Sequence, residues 1–287
     1  MPIESYGLTD ALTKFFLILL LMSALLIIFA GCGNSASSTA SSNPFTNKKD
    51  TSNPQNYALV IKLRLVSIEV PLGMASSSEE IWSYLDEERT RAVRSAALGR
   101  NGLRLGVAHK DSWPDLAKIL QHLTGQKLME NYIVALPGRP VQINLKVDQG
   151  KQTIFTSYED RTLSGSDYPP GDNLLALNCS LDENNITSFV LTGMPQIRSL
   201  HRKTEIVKDV TGLMMTDRPV IFSFDAATFQ LPMTNNEILV IGPGAESRRP
   251  TSIGYHFFVH EKQDILFETI LVLIPEVVKA PLREQPA

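Results

Sequence analysis

The sequence predicts an α+β fold: an N-terminal strand-helix-strand-helix unit followed by a mostly antiparallel β region. Three observations carry this. Leu59, Ile61, Leu63 and Leu65 alternate with Lys62 and Arg64, the period of a half-buried strand. Between residues 81 and 97, Ile81, Leu85, Ala92, Val93, Ala96 and Ala97 fall at helical spacing. From about residue 130 onward, short apolar runs are separated by turn signals and no long helical stripe recurs.

In order along the chain, the first strand spans Tyr57 to Val70. Its apolar parity switches after Leu65 to Val66, Ile68 and Val70, which predicts a bulge near residue 65. Pro71 and Gly73 end it. Ser77 followed by Glu80 has capping-box form, so one helix is expected from there to the stop at Asn101-Gly102. Leu103 to Ala108 is a short strand. Asp111 or Ser112 caps a second helix with Pro114 in its first turn, the stripe Leu116, Ile119, Leu120 and Leu123, and Gly125 at its end. Expected strands follow at Tyr132–Ala135, Val141–Val147, Thr153–Ser157, Asn173–Leu181, Thr187–Thr192, Pro219–Phe224, Ile238–Ile241, Ile253–Val259 and Ile265–Ile274. The α/β unit thus covers 57–128 and the mainly β region 129–280, with a tail at 281–287.

The first 56 residues differ in kind. Phe15 to Ala30 is apolar except for Ser23. At about 16 residues it is longer than most signal-peptide cores and shorter than a spanning helix. Ala30-Gly31-Cys32-Gly33 closes it, two small residues before a thiol. This resembles the lipobox of bacterial lipoproteins, although Phe29 stands where Leu is usual and Lys14 is the one basic residue ahead of the core. The resemblance implies a signal peptide at 1–31, acylation of Cys32 and a membrane anchor at the cell envelope. Gly33 rather than Asp after the cysteine implies the outer membrane in a diderm cell. An uncleaved helix with an incidental cysteine is the other reading. Residues 33–56 are rich in Ser, Thr and Asn and are expected to be a flexible tether, 32–56 with the lipidated cysteine.

Chemistry is sparse. With 27 basic and 30 acidic residues the net charge is −3, which gives no reason to expect nucleic acid. The nearest basic run, Arg198 to Lys203, is expected to be a solvated strand end. Two cysteines exclude a disulfide scaffold, and Cys179 in an apolar run is expected to be a buried thiol. No G-x-S-x-G elbow, Walker loop or dinucleotide fingerprint occurs, and Ser164-Gly165-Ser166 is expected to be a loop. His256 and His260, set on a strand, would stand about 13 Å apart, too far to share an ion. No catalytic residue, cofactor or metal site is expected. Ile265 to Val278, with Glu268 and Thr269 before the aliphatic run and Pro275 after it, resembles the closing strand of secretins, and Leu63 to Val70 resembles their opening strand. Ile274 stands where that family has Thr and its lip motif is absent, so a functioning channel is not implied. The expected function is a membrane-anchored structural or protein-interaction domain with an envelope protein partner. The alternatives are a secretin-related accessory component, and an envelope enzyme or solute binder.

Overall fold

The computed structural model describes residues 57–182, 185, 187–209 and 212–281. The expected signal peptide, Cys32, the tether and all but the first residue of the tail lie outside them. Among the described residues no helix is long and apolar enough to cross a membrane.

The protein is mostly antiparallel β, which corrects the predicted α+β class. One sheet joins β2 (Leu103–His109), β11 (Glu237–Pro243), β13 (Ile265–Pro281), β1 (Tyr57–Pro71) and β3 (Glu130–Ala135) in that order, with β12 (Val259–Lys262) beside β13. A second sheet joins β10 (Phe229–Thr234), β8 (Ser188–Asp209), β7 (Gly171–Leu181) and β4 (Val141–Gln149), with β9 (Gly212–Ser223) beside β8. A hairpin of β5 (Gln152–Ser157) and β6 (Leu163–Tyr168) stands apart. The expected N-terminal strands β1 and β2 are not neighbours. β11 and β13, from the far end of the chain, lie between them, so the strand-helix-strand-helix segment is not a unit of its own.

β1 also lacks the expected bulge. It pairs with β13 in unbroken register from Tyr57↔Pro281 to Pro71↔Phe267. The parity switch has another cause: both faces of this strand are covered, at different places. Ile61, Leu63 and Leu65 enter the core shared with the second sheet. Val66, Ile68 and Val70 enter a second core under the helices α1 (Glu79–Trp82) and α3 (Trp113–Thr124). Neighbouring strands divide the same way, with Leu271 and Leu273 facing one core and Ile270, Val272 and Ile274 the other.

The helix expected from Ser77 to Asn101 breaks into α1 and α2 (Ala92–Arg100). Between them Asp86 trades backbone hydrogen bonds with Val107, donating at 2.8 Å and accepting at 3.0 Å. This covers part of the open edge of β2. Leu85 lies so close to that strand that a Cβ on Gly106 would meet its Cβ at 2.5 Å. The Arg104 guanidinium then takes Glu87 with two 2.7 Å bonds and stacks 4.5 Å over Trp82. Tertiary pairing thus overrides a sound helical pattern. α3 does form as expected, with Pro114 in its first turn and Gly125 left-handed at its end (φ 62°).

Two further corrections bear on function. Ile253–Val259, expected to be a strand, is the helix α4 (Ile253–Phe258), capped by the Ser252 hydroxyl accepting from the Tyr255 N–H at 3.1 Å. Ser164-Gly165-Ser166 lies on β6 rather than in a loop, and Gly165 leaves room for the Phe155 ring across the hairpin.

Candidate functional site

Two surfaces stand out. The first is a ribbon. β7 accompanies β8 only as far as Gly171↔Ser199. Beyond that, among the described residues, β8 pairs with β9 alone, from Arg202↔Pro219 to Asp209↔Gly212. A register shift between Arg198 and Arg202 marks the departure from the sheet. Directly opposed residues share a face, so Ile206 with Met215 and Lys208 with Leu213 lie on one side and Val207 with Met214 on the other. Leu213 and Met215 are 76% and 75% exposed. The basic run expected to be a strand end lies here. Arg198 is paired with Asp172 at 2.7 Å, while His201, Arg202 and Lys203 are exposed on the ribbon.

The second surface is an open groove of about 610 Å³ where β1, β4, β5, α4 and β12 meet. At one end sits Glu69. Burial raises its pKa, but the Lys262 hydrogen bond and the His260 and Lys262 charges outweigh this and leave it below the usual carboxylate range. The His260 Nε2 lies 3.2 Å from Glu69, an electrostatic contact rather than an aligned hydrogen bond. Its pKa is lowered, first by burial, with Glu69 opposing and Lys262 and Lys146 adding. His260 is half-buried and stacks on Phe267 at 6.0 Å.

At the other end Lys146 donates to the Tyr255 carbonyl at 3.2 Å. Burial pushes its ammonium down to about 8. A register shift between Asn144 and Lys146 turns this lysine inward, out of the simple alternation of β4. Nothing in the residue pattern signals that shift, which is why sequence reasoning passes over Lys146. His256 is locked from two sides. Its Nε2 is 3.1 Å from the Thr153 carbonyl, and its own carbonyl accepts from Asn173 Nδ2 at 2.7 Å. Asn173 and Gln152, both buried, exchange amide bonds of 2.8 and 2.9 Å beneath it. Burial, helped by the Lys146 charge, lowers the His256 pKa to about 4, with the Thr153 contact opposing.

This ring has a consequence for stability. In the unfolded chain the imidazole takes its proton near pH 6.5, in the fold only near pH 4. Between those values the unfolded state binds more protons, so stability is full above pH 6.5 and is lost as pH falls toward 4. The loss from this residue should be about 2 kcal/mol, discounted for the part of the ring facing the groove. Chemical denaturation at pH 7 and pH 4.5 should therefore show a smaller acid loss for His256→Gln than for the wild type.

The other sequence candidates do not converge. His256 and His260 sit on a helix and a strand rather than one strand, and among the described residues no three His, Cys, Asp or Glu side chains gather as metal ligands. Cys179 is buried on β7, its thiol pushed up to about 11 by burial. Glu159 pairs with Arg94 at 2.9 Å. His109 lies 3.0 Å from Asp111. Compared with family models, with curated proteins and with solved structures, the chain matches none of them.

Proposed function

We propose that the chain is an envelope lipoprotein, anchored to a membrane through Cys32, whose β-rich domain is a structural or protein-interaction module that docks by the β8–β9 ribbon. The observation that carries the docking role is the apolar tip: Leu213, Met214 and Met215 are 76%, 50% and 75% exposed on a ribbon with one partner strand at each position. A two-stranded ribbon is marginal alone and leaves such side chains in water without compensation. A protein partner that encloses the tip from both sides would remove this surface from water. The anchor and the tether, both read from sequence, would hold the module near the bilayer while leaving it free to reach that partner.

The test uses the full chain in its native membranes with a photoreactive residue at Met215. A crosslinked species of constant mass is expected, reduced about tenfold by the pair Leu213→Asp and Met215→Asp, the loss of a hot spot of about 1.4 kcal/mol. An unchanged crosslink, or none, removes the ribbon from the proposal. The anchor is checked separately by the mass of the mature N-terminus. It should begin at an acylated Cys32 and lose the acyl mass in Cys32→Ala.

A further inference from the structure

The groove beside α4 contains a charge with no counterpart. Lys146 is largely removed from water, yet among the described residues it forms no ion pair. Its one oxygen partner is the Tyr255 carbonyl, and the Tyr255 ring lies 5.7 Å away. An ammonium has three N–H donors, and one of them is taken by an acceptor among the described residues. The others remain available to a ligand that enters the groove.

The surrounding charges do not supply that partner. Glu69 on β1 is shared between Lys262 and His260 at the far end. Lys151 also lines the groove but is held by Asp167 of β6 at 2.8 Å. Glu261 lines the rim and is exposed. His256 is held neutral with its Nε2 occupied by the Thr153 carbonyl. One uncompensated positive charge is left, facing an open space. The floor beneath it is rigid, because the Asn173–Gln152 amide pair and the His256 backbone are cross-braced. A fixed, partly desolvated donor of this kind binds an anion without reorganising.

We infer that this groove is a binding site for a carboxylate ligand, with the Lys146 ammonium as its principal contact. The count of charges selects the class. Lys146 is the one ammonium of the groove that no carboxylate among the described residues holds, so it balances a single negative charge, and the exposed carboxylate of Glu261 opposes the second charge of a phosphate dianion. The carboxylate can belong to a free organic acid or to the C-terminus of a peptide. Both present the same two oxygens to Lys146. The site does not depend on the ribbon or on the anchor, so either proposal can fail alone.

The experiment follows the Lys146 Cε resonance in the full chain, produced with 13C-labelled lysine and purified in detergent. Acetate, N-acetylalanine and inorganic phosphate are the probes. Saturating acetate or N-acetylalanine is expected to raise the Lys146 titration midpoint by at least one pH unit, with the exposed Lys118 unmoved. Affinity should hold below pH 8 and fall about tenfold per unit above it, as the ammonium loses its proton. Lys146→Met should abolish binding, while Lys118→Met, outside the groove, should leave it unchanged. N-acetylalanine binding tenfold tighter than acetate would identify a peptide terminus, and equal binding a free acid. Tighter binding of phosphate overturns the carboxylate assignment. No probe moving Lys146 more than Lys118 overturns the site.

Discussion

Gly254→Ala is expected to cost about 3 kcal/mol or more, because the added methyl has no space and its neighbours cannot yield. A Cβ at this position would lie 2.0 Å from the Gly102 carbonyl oxygen and 2.5 Å from its carbon. Both are backbone atoms. Gly102 is itself fixed, with φ +79°, and its own missing Cβ faces the Ser247 backbone nitrogen at 2.8 Å. The Gly254 N–H donates to the Asn101 carbonyl at 2.8 Å, and the Gly244 N–H to the Gly102 carbonyl at 2.9 Å. Three segments therefore touch backbone to backbone, and none can retreat without breaking a bond to another. Thermal unfolding should fall by roughly 6–12 °C for a domain of this size. Gly99→Ala is the control: nothing lies within 4 Å of its Cβ site, and on α2 alanine should stabilise by about 0.5–1 kcal/mol. A fall of less than 2 °C for Gly254→Ala would mean that these segments separate more easily than their packing implies.

Asn101→Ala carries the next largest effect. This side chain is fully buried. Its Nδ2 donates to the Ala97 and Ser157 carbonyls at 2.9 and 2.7 Å, and its Oδ1 accepts from the Ser157 N–H at 2.8 Å. The amide thus pairs with the Ser157 backbone as a neighbouring strand would, and secures the end of β5 to the end of α2. Alanine leaves the Ser157 N–H and C=O buried without partners. At about 1–3 kcal/mol for each group so stranded, the expected loss is about 3 kcal/mol. Hydrogen exchange separates this from a general loss of stability. The Ser157 amide should lose far more protection than the Leu273 amide at the centre of the first sheet. Equal losses at both would assign Asn101 a merely global role.

These two residues mark the limit of what the sequence makes legible. Alternation located β1, because burial of one face writes a period of two into the residues, and short apolar runs between turn signals located β7 and β11, the latter buried on both faces. Alternation also misled within β1, where a change of covered face looks the same as a bulge. Helical spacing located α3, whose apolar stripe agrees with its neighbours. It failed between Leu85 and Thr90, where the chain prefers the edge of β2, a partner distant in sequence. At α4 the aromatic residues Tyr255, Phe257 and Phe258 suggested a strand, while the helix signal was the Ser252 cap. The groove was the least legible feature. Lys146 is placed by a shift in strand register, and Glu69, His256 and His260 meet only because β1, α4 and β12 are brought together by β13.

The pairing of β1 with β13 also sets the order in which this protein can form. Among the described strands, the first to leave the ribosome finds its principal partner in the last, so Tyr57 must wait for Pro281. The central sheet cannot be completed until β13 has been made, and the search for such a distant contact is slow. An unfinished chain stays open for that whole interval. β13 is thus the latch of the central sheet, the strand whose arrival joins β1 to β11.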